Sequence, residues 1–554
     1  MAAFRRSGCD AETPLLDDTV QDVVDYEGRP AVRSRSGGWR SAAFIIGAEV
    51  FERFACYGVR SNLINFLTGQ LGQSTAAAAA NVNLWSGTAW LLPMLGAFVA
   101  DSFLGRYRSI IFASLVYIPA LGLLALSALL SPGGFKSVLF FSSLYLIGVG
   151  QGGHKPSLQA FGADQFDGKD PEESKAKSSF FNWWYFGICT GILLAYLIVC
   201  YIQEDISWAL GYGILFVGMV ISLVVFWIGA RTYRYTNIKQ DESSPFARIG
   251  RVFIAAFRNR RFSPSAIPTE EESHKALPPQ SYEQFKFLNK ALIVPVGLEE
   301  DEKMHCTIDE VQDARCLLRL VPIWGTCVVF AIVFAQSSTF FTKQGATMNR
   351  ELISGFEIPA ASLQSFNSIA IVLFVPVYDR ILVPIVSSFT RKPSGITILQ
   401  RIGTGILLSI LTIVVAAFVE TKRLKTAQEY GLVDMPNATV PMSMWWLVPQ
   451  YILLGIADVF TMVGMQEFFS EQVPTEMRSM GVSLYLSILG MGSFLSSFLI
   501  SAIDQITSGF GQDSWFSSNL NRAHIDYFYW LLAGICAVGF VAYLCFARCY
   551  IYKL

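Results

Sequence analysis

The sequence predicts an all-α membrane protein with twelve transmembrane helices in two halves of six. Three observations lead to this fold class. The chain of 554 residues is 53% hydrophobic but only 15% charged, whereas soluble domains carry about 25% charged residues. Apolar runs bounded by polar clusters recur along the chain, and each is long enough to cross the roughly 30 Å hydrocarbon core of a bilayer. A polar stretch at residues 232–313 separates these runs into two sets of six.

The helices of each half can be placed from these runs. The first half is predicted to have helices at residues 41–68, 77–101, 108–130, 137–163, 178–202 and 208–231. The second half is predicted to have helices at residues 314–342, 357–379, 395–419, 443–469, 479–505 and 524–550. The chain then divides into an N-terminal tail (1–40), a first half (41–231), a linker (232–313) and a second half (314–554).

The linker contains one further helical pattern. Residues 246–258 mix apolar and basic side chains at helical spacing, which predicts an amphipathic helix. Two interpretations remain open, namely a helix lying on the inner membrane surface and a plain soluble linker helix.

The basic residues predict how the chain is oriented in the membrane, because cytosolic loops are enriched in Lys and Arg. Connections on one side of the predicted helices carry Arg106, Arg108, Lys169, Lys175, Lys177, Arg231, Arg234, Arg248, Arg251, Arg258, Arg260, Arg261, Arg391 and Lys392. This side is therefore predicted to be cytosolic, together with both termini. The exception is Lys422, Arg423 and Lys425 after the ninth helix, in the same outer loop as a glycosylation triplet at 437–439.

A charged cluster interrupts the first predicted helix. Spacings of three and four residues place Glu49, Glu52 and Arg53 on one helix face. Each charge at bilayer depth costs roughly 2.5–3.5 kcal/mol on insertion scales, so such residues usually face a bundle interior or a water-filled path. The cluster therefore predicts a functional site, with a buried structural ion pair as the alternative.

A second motif follows the second predicted helix. Residues 96–106 read Gly-x-x-x-Ala-Asp-Ser-Phe-Leu-Gly-Arg. Asp101 and Arg106 flank the tight turn that Gly105 allows, which suits a hinge between two helices.

Two further motifs lie in the fourth and tenth helices. Residues 148–156 read Gly-x-Gly-x-Gly-Gly-His-Lys-Pro, and Phe-Gly-Ala-Asp-Gln-Phe follows at 161–166. Alone, such a glycine run could indicate only close helix packing. Residues 467–479 contain Glu-Phe-Phe and end in Met-Arg-Ser.

Together with residues 519–530 (Asn-Leu-Asn-Arg-Ala-His-Ile-Asp-Tyr-Phe-Tyr-Trp), these motifs resemble the proton-coupled oligopeptide transporter family. More specifically, the chain resembles the plant nitrate/peptide transporter branch, from about Trp39 to the C-terminus. The resemblance implies the major facilitator fold, with a solute site near the membrane midplane between the halves. It implies a transporter and not an enzyme, and we find no Walker loop, HExxH motif or nucleophile elbow in the sequence.

The resemblance also implies roles for individual residues. Glu49, Glu52 and Arg53 match the proton-coupling motif of the family, and Lys155 matches the helix-four lysine that works with it. Lys155 is expected to pair with a helix-one carboxylate when that acid is ionised and to leave it on protonation. The hinge role falls to Asp101, Gly105 and Arg106.

The residues expected to contact solute are Arg53, Tyr57, Lys155, Phe334, Gln336 and Asp458. Three positions depart from the family pattern. Asp458 stands where glutamate is usual, and Cys56 precedes Tyr57 where peptide carriers often have a second tyrosine. Phe334 stands where some nitrate carriers have histidine, so neither solute is cleanly supported.

The predicted function is proton-coupled symport of a small solute, with nitrate first and di- or tripeptides as the close alternative. A plant hormone or specialised metabolite is a third possibility, and a non-transporting membrane receptor or scaffold is a different class. We expect no cofactor or metal because the ten cysteines lack ligand spacing, and no nucleic-acid partner because the net charge is −1. The partners are protons, the solute and the bilayer. A monomer is expected to suffice because one chain supplies the whole fold.

The N-terminal tail contains a pattern that bears on the membrane to which the protein is sorted. Residues 12–16 read Glu-Thr-Pro-Leu-Leu and resemble acidic dileucine signals that direct plant transporters to the vacuolar membrane. An ordinary tail is the alternative, since such addresses are read by receptors and are not physical anchors. The sequence thus predicts the plasma membrane or the vacuolar membrane.

Overall fold

A computed structural model describes residues 19–167, 170–236, 245–261, 285–292, 306–353, 355–390, 396–474, 478–509 and 514–550. The first half consists of α1 (Gly38–Arg60), α2 (Leu63–Gly69), α3 (Thr75–Val99), α4 (Arg106–Leu129), α5 (Gly134–Ala163), α6 (Pro171–Leu194) and α7 (Trp208–Ile228). π-helical turns extend α3 at Ala100–Leu104 and α6 at Ala195–Val199 and Ile202–Ile206.

The linker contributes α8 (Pro245–Arg258) and two 3₁₀ segments, Asn259–Arg261 and Lys286–Leu292. The second half consists of α9 (Ile308–Ala335), α10 (Phe340–Ala346), α11 (Ser365–Val377), α12 (Val383–Thr390), α13 (Ile398–Glu429), α14 (Val448–Glu471), α15 (Arg478–Ser508) and α16 (Ile525–Cys549). A π-helical turn, Tyr378–Leu382, joins α11 to α12.

Ten helical segments of the described chain are long and apolar enough to cross a membrane. α1 and α5 fall outside this group on composition, although they have 23 and 30 residues. At 1.5 Å per residue, both lengths suffice to span the hydrocarbon core. Counted with these two polar helices, the transmembrane segments form the two sets of six that the sequence predicts.

The predicted helix at 41–68 is interrupted after α1. Asn62 lies between α1 and α2, and its side-chain oxygen accepts a hydrogen bond from Asn65 Nδ2 at 2.8 Å. The carbonyl oxygen of Ser61 accepts a hydrogen bond from Gln364 Nε2 of the second half at 2.9 Å. The Ser61 carbonyl thus has a partner outside α1, at the point where the helix ends.

A small antiparallel sheet lies in the described part of the N-terminal tail. β1 (Thr19–Val24) pairs with β2 (Pro30–Val32) and with β3 (Tyr235–Thr236), which follows α7. Arg234 is buried beside the sheet, where it donates two hydrogen bonds to Glu173 of α6 and one to the carbonyl of Ser36. These contacts fasten residues 19–37 to the first half.

Short strands also order the connections of the second half. β4 (Met348–Asn349) pairs in parallel with β7 (Val440–Ser443), and β5 (Glu351–Ile353) pairs antiparallel with β6 (Phe356–Glu357). The β4–β7 pair ties the connection after α10 to the connection before α14.

The amphipathic segment of the linker forms α8, as the helical spacing predicts. Its apolar face carries Ile249 and Val252, which are buried in one cluster with Leu288 of the linker and Val311 and Ala314 of α9. This part of α8 is therefore covered by protein, whereas Ile254 and Phe257 of the same helix are 64% and 67% exposed. Contact of α8 with the membrane surface remains a prediction.

The glycine run at 148–153 brings α5 close to its neighbours. A Cβ on Gly96 of α3 would collide with the backbone of Gly152, and a Cβ on Gly150 would meet Tyr117 of α4. Only glycine permits this approach of helix backbones. The close packing fixes the height and rotation of α5, and with it the position of Lys155.

Candidate functional site

The charged cluster predicted from the first helix lies inside the protein. Arg53 Nε donates to Glu49 Oε1 at 2.6 Å and lies 3.5 Å from Glu52 Oε2. The side chains of Glu49 and Glu52 are fully buried, and that of Arg53 is 15% exposed. One guanidinium therefore faces two carboxylates. We call these three residues the coupling cluster.

The carboxylates of the coupling cluster are incompletely satisfied. Glu49 Oε2 and both oxygens of Glu52 are buried and accept no hydrogen bond from the described residues. A buried carboxylate without partners is costly in its ionised form. The cluster therefore has room for a proton or for a further cation, which a saturated structural ion pair does not have.

Lys155 of α5 is held by neutral groups. Its Nζ donates to Cys56 Sγ at 3.2 Å and to Gln151 Oε1 at 3.1 Å. Gln151 Nε2 in turn donates to Tyr117 OH at 3.0 Å. In this conformation Lys155 forms no ion pair with Glu49 or Glu52, all of which the structure describes. The predicted Lys155–carboxylate pair is therefore absent from this state.

A second cation near Lys155, Arg60, is missing from the sequence-based predictions. Arg60 Cζ lies 5.5 Å from the ring centroid of Trp90 on α3 and 5.6 Å from that of Phe334 on α9. Lys155 Nζ lies 5.8 Å from the same Trp90 ring. Arg60 and Lys155 thus both lie near the Trp90 ring. The available signal was spacing, since Arg60 follows Arg53 by two helical turns on the same face.

Asp458 of α14 lies on the second half's side of the interior and is buried. Its Oδ2 accepts a hydrogen bond from Asn367 Nδ2 at 3.1 Å, while Oδ1 has no partner among the described residues. Asp458 can therefore accept a donor from a bound solute.

The two remaining predicted solute residues have protein partners. Gln336 Nε2 donates to Ser496 Oγ at 2.9 Å, and Asn83 Nδ2 donates to the same hydroxyl at 3.0 Å. This chain joins α9, α15 and α3, so Gln336 lies in a buried contact between the halves. Tyr57 packs edge-on against Tyr196, with 6.0 Å between ring centroids.

The predicted hinge combines a glycine turn with an ion pair. Gly105 has a φ of 77° and joins the π-helical end of α3 to α4. Arg106 Nη1 donates to Asp164 Oδ2 at 2.5 Å, so residues 96–106 and the 161–166 motif meet here. Asp101 lies in the π-helical turn. We call this end of the bundle the Arg106 face.

The opposite end of the bundle, which we call the Glu204 face, joins the two halves. Lys343 Nζ donates to Thr68 Oγ1 at 2.8 Å, and Arg350 Nη1 donates to Glu204 Oε2 at 3.1 Å. Ser362 Oγ donates to the carbonyl of Tyr196 at 2.7 Å, close to the Gln364–Ser61 bond. These bonds link the two halves at the Glu204 face.

The remaining sequence features are assigned no role in this site. His154, next to Lys155, is buried. The dileucine pattern at 12–16 and Met477 of the 467–479 motif lie outside the described residues. No group of three or more potential metal ligands occurs among the residues that the structure describes.

Comparison with known proteins gives relatives over the full length. Residues 107–516 match the PTR2 family model, described as the POT family. The chain is 59% identical to Protein NRT1/PTR FAMILY 5.10 of Arabidopsis thaliana over 98% of both chains. It is 58% identical to Protein NRT1/PTR FAMILY 5.13 of the same plant, again over 98% of both chains.

Solved structures show the same fold. An auto-inhibited POT family peptide transporter superposes with a TM-score of 0.72 at 24% identity, over 93% of this chain and 98% of that chain. The POT family transporter PepTSo gives a TM-score of 0.71 at 22% identity, over 92% of this chain and 98% of that chain. The chain therefore belongs to the POT family, as a proton-coupled transporter of its NRT1/PTR branch with twelve membrane helices in two halves of six.

Proposed function

We propose that this transporter is a proton symporter for a small anion, with nitrate as the first candidate. The observation that carries the proposal is the pair of cations around Trp90. Arg60 and Lys155 contact this ring and have no carboxylate partner among the described residues. Two cations without counter-ions in a partly buried site favour an anionic ligand.

In this proposal the coupling cluster carries the proton. Glu49 and Glu52 bring two negative charges against the one positive charge of Arg53, so one added proton makes the cluster neutral. Lys155 could neutralise it instead by moving from Cys56 to a carboxylate. The proton and Lys155 would then compete for the same oxygens. That competition would link protonation to the movement of α1 against α5.

A di- or tripeptide is the second candidate because of Asp458. Its unpartnered Oδ1 can accept a hydrogen bond from a peptide amino group while the cations near Trp90 hold the carboxylate. Because aspartate reaches less far than glutamate, a bridging peptide must extend further toward α14. A third candidate class is an organic anion such as a plant hormone or specialised metabolite, because its apolar part can pack against the rings of Trp90 and Phe334.

The conformation supports a direction for solute entry and exit. The bonds of the Glu204 face join the halves, whereas ion pairs near the Arg106 face, such as Arg106–Asp164 and Arg401–Glu467, lie within one half. We infer that this state opens toward the Arg106 face. Its basic residues support a cytosolic location for that face and for both termini.

The proposal also includes the domain boundaries, the oligomeric state and the membrane in which the protein resides. We propose the boundaries 1–40, 41–231, 232–313 and 314–554 for tail, halves and linker, and a functional monomer. For the membrane we propose the vacuolar or the plasma membrane. On the vacuole, symport would move solute from the acidic lumen into the cytosol, and at the plasma membrane it would be uptake.

The deciding experiment is voltage-clamped uptake in oocytes at about pH 5.5 and about pH 7.5, with labelled nitrate and a labelled dipeptide offered separately. Acid-stimulated nitrate uptake without dipeptide uptake is the expected result. Nitrate with one proton moves no net charge, whereas a second proton adds about 2.3 kcal/mol per 100 mV. Uptake of the dipeptide alone would replace nitrate by the second candidate. Surface protein that carries neither solute would overturn both.

Arg60→Gln tests the carrying observation directly. Removing one of the two cations should raise KM for nitrate about tenfold, because a charged hydrogen bond or ion contact in such a site contributes about 1.5–3 kcal/mol. Arg40→Gln removes an exposed arginine from the start of the same helix and should leave KM unchanged. Equal KM values for both variants would remove Arg60 from the solute site.

A further inference from the structure

Cys56 stands at a position where peptide carriers of the family often have tyrosine, and here its thiol contacts the coupling lysine. We propose that Cys56 and Gln151 form a neutral holding site for the ammonium of Lys155. We further propose that this holding site sets how acidic the medium must be before the coupling cluster takes its proton. The inference rests on the proposed coupling function of Glu49, Glu52 and Arg53.

The holding site is built from two helices and is rigid. Cys56 of α1 is 4% exposed and Gln151 of α5 is 1% exposed. Tyr117 of α4 is fully buried and accepts the amide hydrogen of Gln151. The side-chain oxygen of Gln151 is thereby turned toward Lys155. Two fixed acceptors at 3.2 and 3.1 Å thus define one position for the ammonium.

The alternative position of the ammonium lies one helical turn away. Cys56 follows Glu52 by four residues and Arg53 by three, so thiol and carboxylate share a face of α1. Both oxygens of Glu52 are buried and accept no hydrogen bond from the described residues, while Oε2 lies 3.5 Å from Arg53 Nε. A change of side-chain rotamer in Lys155 would therefore exchange a neutral partner for a charged one.

Other charged and titratable groups face Lys155 from its surroundings. α1 presents Glu49, Glu52, Arg53, Tyr57 and Arg60, α4 presents Tyr117, and α5 itself carries His154. Arg53 and Arg60 repel the ammonium and the two carboxylates attract it. The thiol and the amide add no charge to this balance. They favour one position of Lys155 by hydrogen bonding alone, so their removal shifts the balance toward the carboxylates.

The consequence is a displaced pH dependence. When Lys155 is held by Cys56 and Gln151, a proton is the available cation for Glu52. When the thiol is removed, Lys155 pairs with the carboxylate and the proton must displace it. Proton-driven uptake then requires a more acidic medium.

The test compares Cys56→Ala, Cys56→Ser and Cys200→Ala in the full-length transporter, by labelled nitrate uptake across a pH series. Cys56→Ala should move the pH of half-maximal uptake about one unit lower, as expected for one lost hydrogen bond to a charged group. Cys56→Ser keeps an acceptor and should restore the wild-type curve. Cys200 is an equally buried cysteine, 3.2 Å from Ser61 Oγ, and its alanine variant should leave the curve unchanged. Coincident curves for Cys56→Ala and wild type would overturn the proposal.

A second measurement needs no solute and separates positioning from packing. The melting temperature of each purified variant is followed against pH. A merely structural loss lowers the melting temperature equally at every pH, as we expect for Cys200→Ala. Cys56→Ala should instead change its dependence on pH, and a parallel curve would refute the holding site. If the wild type carries no nitrate, the proposed solute fails while this measurement still decides the role of Cys56.

Discussion

Two buried clusters of the molecule both combine arginine with glutamate. The carboxylate oxygens of one all accept hydrogen bonds, whereas most of those of the other accept none. In α13, Arg423 donates to both oxygens of Glu420 at 2.9 and 2.6 Å, and both side chains are fully buried. Arg423 also donates to Asn521 Oδ1 at 2.9 Å and to the carbonyl of Leu520 at 2.7 Å. In the coupling cluster of α1, one arginine faces two glutamates, and three carboxylate oxygens accept no hydrogen bond from the described residues.

We expect this difference in hydrogen bonding to separate a structural role from a functional one. Both carboxylate oxygens of the α13 pair accept hydrogen bonds from Arg423. The pair holds the end of α13 to the 519–530 segment and offers no unpaired oxygen to a proton or cation. The coupling cluster leaves acceptors open inside the protein, which stabilises a state with an added proton or an added cation. We therefore expect incomplete pairing, and not burial of charge alone, to mark the transport site.

The α13 pair also explains the exception to the charge rule. Lys422, Arg423 and Lys425 place basic residues on the side predicted to be outside. Arg423 is neutralised by Glu420, and Lys422 Nζ lies 3.3 Å from the ring centroid of Trp446. At least one of these three residues is thus structural, so the loop carries less free positive charge than its sequence indicates.

Breaking the saturated pair should have the largest effect. Arg423→Met leaves Glu420 buried without a partner and should cost about 3–5 kcal/mol of stability. We expect loss of folded protein, measured by thermal unfolding and by the yield of monodisperse transporter. The double variant Glu420→Leu/Arg423→Met removes both charges and should recover most of the loss. An Arg423→Met variant as stable as wild type would erase the distinction between the clusters.

Neutralising one acid in each cluster gives the matched comparison. Glu52→Gln breaks no hydrogen bond to either oxygen, so the free energy of unfolding should change by less than about 1 kcal/mol. Proton-driven uptake should nevertheless fall at least about tenfold, because the amide cannot take or release a proton. Glu420→Gln should show the reverse pattern, with reduced stability and normal uptake per folded molecule.

Uptake and thermal unfolding of the same preparations decide between these patterns. Normal uptake by Glu52→Gln would exclude this residue from coupling. Lost uptake by stable Glu420→Gln would mean that the α13 pair also takes part in transport.

The two clusters also show what the sequence could reveal. Spacing and cost of burial were enough to select Glu49, Glu52 and Arg53 within one apolar helix. Hydropathy falls after residue 419, which predicts a loop for the Glu420–Arg423 pair, whereas α13 continues to Glu429. A fully hydrogen-bonded ion pair allows a helix to continue beyond its apolar part. The sequence does not show this pairing, because one of its partners, Asn521, is distant in sequence.

Other boundaries follow the same logic. α9 begins at Ile308, six residues before the predicted start of its apolar run, because Thr307 and Glu310 form a capping box. That signal is local and was readable from the sequence. β1 and β2 were not readable, since their sheet requires β3 from beyond α7 and the buried Arg234. The family and the twelve-helix fold are confirmed, whereas the roles of the site residues and the solute remain predictions.

The Arg350–Glu204 pair differs from both clusters because it is partly exposed and joins the two halves. Arg350 and Glu204 are 22% and 16% exposed, and pairs of this kind contribute about 1 kcal/mol or less. Glu204→Gln should therefore leave stability almost unchanged, yet it should shift the equilibrium toward an open Glu204 face by up to about fivefold, because the bond exists only when the halves meet there.

Cys200 is a built-in reporter of that opening. It is fully buried in a cluster that includes Ala361 of the second half, so a thiol reagent can reach it only when the face opens. The rate of its modification in purified Glu204→Gln should rise by the same factor, with Cys200→Ala used to assign the signal. Glu357→Gln is the control because it removes an Arg350 partner within the same half. If Glu357→Gln exposes Cys200 as much as Glu204→Gln does, Arg350 orders its own loop and the halves are held together by the Lys343, Ser362 and Gln364 bonds instead.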